Sequence, residues 1–226
     1  MISTVKSDYL QKHPLFANVS LQEIIVAAEL MKLATVYRGE AVSYGDGAYS
    51  KIHLLFNGKI KLAAFSQSEG EMIKEIITAP DIFGNLTMDG HASKDEYAEA
   101  LTYNALIGAF TITDFKKLLE VNPMMGIAYA SLVTGKLGRL ESRHADLIYC
   151  DTKSRLIHFI KNWARSDGRR VGDKILMKYY LTHADIANVI SSSRQSVNIL
   201  LNELRTDGML LYNRTEIELS NLKYWN

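Results

Sequence analysis

The residues of this chain best suited to recognising a ligand stand together near its C-terminal end: Ser193, Arg194, Gln195, Ser196 and Asn198. An arginine presents a planar fork of donors that matches the O6 and N7 acceptors of guanine. A glutamine both donates and accepts, as the N7 and N6 edge of adenine requires. Serine and asparagine can bond either to bases or to phosphate oxygens, and none of the five is acidic, so none repels a phosphate. Thr182 and Arg214 complete the candidate DNA-contacting set.

These side chains must be held on one face by a rigid element. The stretch from Leu181 to Gly208, LTHADIANVISSSRQSVNILLNELRTDG, reads as two short helices joined by a serine turn. Thr182 caps the first, with Asp185 three residues on as a variant of the capping box, and Ile186, Val189 and Ile190 make its apolar face. Ser191-Ser192-Ser193 interrupts it, and Ser193 caps the second helix. There Val197, Leu200, Leu201 and Leu204 form a stripe at spacings of three and four. Gly208 suits the left-handed position that ends it. This is the layout of a DNA-binding helix-turn-helix. An ordinary helical hairpin with a polar outer face is the alternative, disfavoured by the Arg-Gln front and by the residues after Gly208. Two apolar runs between Met209 and Leu219 flank Asn213-Arg214-Thr215-Glu216, predicting a β-hairpin, or wing, with Arg214 near its tip.

Composition agrees. A chain of 226 residues, 47% hydrophobic and 23% charged, suits a soluble globular protein of one or two domains. The net charge of +1 hides an asymmetry: residues 151–226 carry 12 Lys/Arg against 8 Asp/Glu, the remainder 14 against 17. The basic excess lies where phosphates would be met. A single cysteine, Cys150, allows no intrachain disulfide, fits a reducing cytosol and argues against a thiolate-held iron–sulfur cluster. No apolar run is long enough to span a membrane and no signal-peptide core is present, so a cytoplasmic location is expected.

Upstream, residues 1–35 read as helical, with Ser20 as a cap and Ile24, Ile25, Ala28 and Leu30 at helical spacing. From Thr35 to Gly108 short apolar runs are split by glycines, as in a β-sandwich or barrel of the jelly-roll kind. Ile52–Phe56, Asn57-Gly58 and Lys59–Leu62 read as a hairpin with a type I′ turn. The chain is helical again from Thr113, and Asn122-Pro123 opens a long helix to about Tyr149. Its seam of Ala130, Val133, Leu137, Leu140, His144 and Leu147 suggests pairing with a second copy, the alternative being packing on its own domain. Another amphipathic helix spans Ser154 to Ala164, and Ser166-Asp167-Gly168 breaks it.

A glycine-punctuated jelly roll, a long pairing helix and a winged helix-turn-helix, in that order, resemble the Crp–Fnr family of bacterial transcription regulators. The resemblance rests on Arg38-Gly-Glu40, Ile52-His-Leu-Leu-Phe-Asn-Gly58, Gly70, Pro80-Asp-Ile-Phe-Gly84 and, most specifically, Ala184–Val197. It implies an α+β chain with a cyclic-nucleotide-binding-like sensor domain over residues 1–122, a dimerisation helix over 123–150 and a winged helix-turn-helix over 151–226. It also implies double-stranded DNA, a second copy and RNA polymerase as partners, and no membrane. In cyclic-nucleotide-binding members a Gly-Glu-Leu turn and a later Arg-Ser pair hold ribose and phosphate. Here the turn is Gly84-Asn85-Leu86 and the pair falls on Asp95 and Glu96, two carboxylates that would repel a phosphate. The candidate pocket of Phe83, Gly84, Asn85, Leu86, Asp95 and Glu96 is therefore expected not to take cyclic AMP. It either holds another ligand or is structural, and the cofactor is left unknown. In the recognition helix Gln195 stands where cyclic-AMP-responsive relatives have Glu, and Ile199 where they have a second Arg.

Other chemistry has less support. His53, His91 and His144 are scattered, and His53 reads as a strand histidine; haem, which needs as little as one axial residue, stays open. Cys150 is either a redox sensor or a small buried hydrophobe. No nucleophile–base motif, Walker-type loop or metal-ligand spacing stands out, so no enzyme is expected. The reading from a different class is a nucleotide-binding regulatory module acting through protein contacts, which predicts no salt-dependent DNA affinity.

Overall fold

The computed structural model describes residues 2–42, 51–66, 70–88, 96–220 and 222–225. Two compact units emerge, residues 1–140 and 141–226. The division falls inside the long helix rather than at its ends.

The first unit opens with helices α1 (Ile2–Gln11) and α2 (Leu21–Leu30), with a 3₁₀ turn at Pro14–Phe16 between them. Ser20 and Glu23 close a reciprocal capping box on α2. The buried face of α2 is Ile24, Ala27 and Ala28, while Ile25 and Leu30 are exposed, so the expected apolar set is half right. Helix does not run to residue 35: β1 begins at Lys32, where a segment ending in the β-branched pair Thr35-Val36 joins a sheet.

Among the described residues the unit has eight strands in two antiparallel sheets. In one, β1 (Lys32–Val36), β8 (Ala105–Thr111), β3 (Lys51–Asn57) and β6 (Asp81–Gly84) lie in that order. In the other the order is β2 (Ala41–Val42), β7 (Glu96–Ala100), β4 (Lys59–Ser66) and β5 (Gly70–Thr78). All eight contribute to one core, through Val36, Val42, Leu55, Ile60, Ile77, Phe83, Ala98 and Ile107 among others. A second core packs Ile52, Leu54, Ile82 and Phe110 against the helices. Strand β3 is thus covered on both faces, which is why Ile52–Phe56 reads as an apolar run broken only by His53.

The expected hairpin at Asn57-Gly58 does not form. β3 pairs with β6 and β8, β4 with β5 and β7, so the chain crosses from one sheet to the other at this point. Gly58 has φ 88°, and a Cβ there would fall 2.7 Å from Thr102 Oγ1 and 2.9 Å from the Ala105 backbone. The Asn-Gly pair supplies a left-handed, side-chain-free corner, and packing against residues 102–105 decides what the corner joins.

Helix α3 (Ile112–Val121) leads into α4 (Pro123–Tyr149), whose bounds match the sequence reading. Asn122 Oδ1 accepts the Met125 N–H at 3.1 Å, with Pro123 at the first helical position. Met125 and Tyr129 bury against the second core, and Val133 packs partly on it too. Val133 is thus partly covered within its own unit, unlike the more exposed residues of the expected seam. Ile127, missed in the sequence, is 60% exposed, with Leu137, Leu140 and Leu147 at 53, 60 and 40%. No helix among the described residues is long and apolar enough to cross a membrane.

The second unit holds α5 (Thr152–Asp167), β9 (Arg169–Val171), β10 (Lys174–Lys178), α6 (His183–Ile190), α7 (Arg194–Thr206), β11 (Leu210–Tyr212), β12 (Glu216–Leu219) and the short α8 (Leu222–Trp225). Its sheet runs β11-β12-β10-β9. Asp151 caps α5, accepting the Ser154 N–H at 2.7 Å, so this helix is longer at both ends than expected. Leu156, Ile160 and Trp163 of α5 are buried, as are Ile186 and Ile190 of α6 and Val197, Leu201 and Leu204 of α7.

Candidate nucleic-acid interface

The front of the second unit is built by its caps. Thr182 Oγ1 accepts the Asp185 N–H at 3.0 Å, and Asp185 Oδ2 accepts the Thr182 N–H at 2.8 Å, a complete capping box. α6 ends at Ser191, which adopts the left-handed conformation at φ 53°, ψ 61°, and the Ser192 N–H returns to the Ala187 carbonyl at 2.9 Å. Ser193 then starts α7, its Oγ accepting the Ser196 N–H at 2.9 Å. α7 ends beside Gly208, which is left-handed at φ 68°.

With α7 fixed this way, Val197, Leu201 and Leu204 face inward, each at 2% exposure or less. Arg194, Gln195 and Asn198 are exposed in its first turns, Ser196 is half-buried, and Ile199 is 50% exposed. In the wing, β11 pairs with β12, and Asn213 Oδ1 accepts N–H groups from Thr215 and Glu216 at 2.8 and 2.9 Å. That turn leaves Arg214 exposed.

Two features escaped the sequence reading. His183 lies half-buried with its ring 6.3 Å from Tyr179 and 5.9 Å from Tyr212, joining the start of α6 to the wing. Burial, reinforced by the Arg194 charge, lowers its pKa and so disfavours the charged form. The hairpin of β9 and β10 was also missed, although Gly172-Asp173 between two short runs is a hairpin signal.

The candidate pocket of the first unit is differently disposed. Phe83 is buried and stacked on His53, centroids 4.9 Å apart. Gly84 ends β6. Asn85 is buried, its N–H donating to the Lys51 carbonyl at 3.0 Å and its Oδ1 accepting from Thr87 and Met88. Leu86 packs partly on the helical core, and its carbonyl accepts from the Tyr129 hydroxyl. Glu96 is ion-paired with Lys74, so its charge is compensated within the sheet. Asp95 and His91 lie outside the described residues. A nucleotide's ribose and phosphate would therefore meet an amide committed to its own turn and a paired carboxylate. These residues do not fit the group.

His53, 4% exposed, has no hydrogen-bond partner for Nδ1 among the described residues, and burial lowers its pKa to about 4. His144 is exposed on α4. Cys150 is half-buried beside Asp146, and desolvation and that carboxylate push its thiol up, opposite to what an activated redox thiol needs.

Comparison with known proteins converges on the same elements. Residues 154–224 match the model of the Crp-like helix-turn-helix domain. A global nitrogen regulator of Synechocystis sp. is 22% identical over 199 residues, covering 87% of this chain and 88% of its own. A CRP-like cAMP-activated global transcriptional regulator of Mycobacterium tuberculosis is 20% identical over 203 residues, 90% of each chain. In fold, the chain is similar to a CooA mutant from Carboxydothermus hydrogenoformans, with a TM-score of 0.72, 19% identity and 87% of each chain covered. It is similar also to FixK2 from Bradyrhizobium japonicum, with a TM-score of 0.72, 16% identity and coverage of 86% of this chain and 95% of that one.

Proposed function

We propose, from the premise that this chain is a DNA-binding transcription regulator of the Crp–Fnr type, that it acts in the cytoplasm as a homodimer reading two half-sites about 34 Å apart, one helical turn of DNA. The observation that carries the reading is the layout of α7: Arg194, Gln195 and Asn198 are exposed in its first turns, while Val197, Leu201 and Leu204 are buried and fix it to the unit. Arg194 and Gln195 read base edges. Asn198, Thr182, Ser193, Ser196 and Arg214 contact phosphates or neighbouring edges.

The stripe of Ile127, Ala130, Leu137, Leu140, His144 and Leu147 along α4 pairs with its copy, covering apolar side chains otherwise left wet. RNA polymerase is the partner through which bound dimers act. The first unit acts as a sensor for something other than cyclic AMP, supported by the committed amide of Asn85 and the pairing of Glu96 with Lys74.

Selection of bound sequences from random duplex DNA tests the reading. Enrichment of a two-fold symmetric motif, with affinity falling steeply as salt rises, is expected. No enriched motif and no salt dependence would transfer the role of the second unit to protein contacts.

A further inference from the structure

Asp146 and Cys150 lie one turn apart near the end of α4, so both project from the same side of the helix. The corner at Asp151 brings α5 back so that His158 reaches them. His158 Nδ1 is 2.9 Å from Asp146 Oδ1, Cys150 Sγ is 3.7 Å from that oxygen, and the three ligand atoms all lie within 4.8 Å of one another. All three residues belong to the second unit. All three are partly exposed, His158 at 45% and Asp146 at 26% of their side-chain surface, which leaves an entry path.

We infer that Asp146, Cys150 and His158 form a site for a divalent transition-metal ion of the zinc class. The donor set is one thiolate, one imidazole and one carboxylate, a mixture that selects a borderline-soft ion over magnesium or calcium. Zinc bonds of ~2.0–2.3 Å in a tetrahedron place ligands ~3.3–3.8 Å apart, close to the spacing already present. Thiolate and carboxylate together balance the 2+ charge. Three protein ligands leave the fourth position to water, the form of an exchangeable site rather than a closed structural one.

The ion would clamp the corner between α4 and α5, and one residue joins that corner to the helix-turn-helix. Arg155 donates from Nη1 to the Cys150 carbonyl at 2.9 Å, from Nε to the Ile190 carbonyl at 2.9 Å and from Nη2 to the Ser191 carbonyl at 3.3 Å. The same guanidinium therefore touches the backbone of a ligand and the left-handed turn that sets α7. Metal occupancy is in this way a regulatory input to DNA binding, an extension that rests on the proposed reading of α7; the metal site itself does not.

The test is a cobalt(II) titration of the full-length, chelator-treated protein, followed by zinc displacement and by operator binding with and without zinc. One equivalent per chain, with a thiolate-to-cobalt charge-transfer band, is expected. Cys150→Ser should abolish the band, and His158→Gln should weaken binding ~10-fold or more, since even outer-shell partners cost that much, with circular dichroism unchanged in both. No band in the wild type, or a band retained in Cys150→Ser, overturns the site. Zinc should shift operator affinity in the wild type and not in Cys150→Ser. A wild type that binds cobalt with unaltered operator affinity overturns the regulatory link. Failure to bind any DNA while the band persists overturns the reading of α7 and leaves the site standing.

Discussion

Ser193 Oγ lies 2.8 Å from Ser196 Oγ and accepts the Ser196 N–H, so these two hydroxyls on the front of α7 are engaged with each other. Arg194, Gln195 and Asn198 are the exposed side chains beside them, and of these Arg194 and Gln195 are the ones proposed to read base edges.

Ser193→Ala removes the cap of α7 and should cost about 1 kcal/mol, within the usual ~0.5–2 for such a loss. Thermal unfolding reads this directly. A melting temperature equal to wild type would show that the first turn of α7 holds without its cap.

Arg194→Ala should cost ~1–3 kcal/mol on the preferred operator and flatten discrimination at one base pair. Gln195→Glu exchanges a group that donates and accepts for one that only accepts, shifting preference from adenine toward cytosine. Motifs selected with the three proteins provide the comparison; indifference to both substitutions would move base reading off α7. With Ile199 half-exposed and unable to hydrogen-bond, the neighbouring position should be read loosely.

Leu137→Glu should weaken self-association and operator binding together. Leu137 is 53% exposed within its own chain, so folding should be spared. Sedimentation velocity is the check, and a wild type that stays monomeric at micromolar concentration with and without DNA contradicts the dimer.

His53 makes stability pH-dependent with a definite sign. Its folded pKa, about 4, lies below the unfolded 6.5, so the unfolded chain takes up the proton first. Stability is full above ~6.5, falls as pH drops toward 4, and levels below that, a change of ~3 kcal/mol for a shift of this size. His13, buried and also lowered, acts in the same direction. His53→Leu should flatten part of the acid limb in urea melts at pH 7, 5.5 and 4.5. Parallel limbs for both proteins would mean that His53 is not neutral inside the sandwich.

Cyclic AMP should not bind with useful affinity. Calorimetry showing a micromolar dissociation constant, with a matching rise in operator affinity, would reverse the account of Asn85 and Glu96.

The helix-turn-helix was legible because its determinants are local: Thr182 with Asp185, Ser193 with Ser196, and stripes repeating within one helix. The two-sheet architecture was legible from glycine spacing, but its connections were not. Asn57-Gly58 gives the same local signal whether it joins two strands of one sheet or turns a corner, and the decision lies with Thr102 and Ala105, far along the chain. Val133 and Ile127 both fit a helical seam, and only packing against the first unit's core separates them. The grouping of Asp146, Cys150 and His158 depends on the sharp corner between two helices, to which periodicity within either is blind.

Lys32 pairs with Ala109 and Ile52 with Phe110, so the first sheet cannot close until Thr111 has left the ribosome. Until then β1 and β3 present open edges to the cell. The second unit makes its α6, α7 and wing contacts between near neighbours in sequence. Its longest-range strand pairing, Ile175 with Leu219, still joins residues closer in sequence than Lys32 and Ala109, so the second unit should fold the faster of the two. A nascent chain halted before β8 should thus be the species most dependent on chaperones.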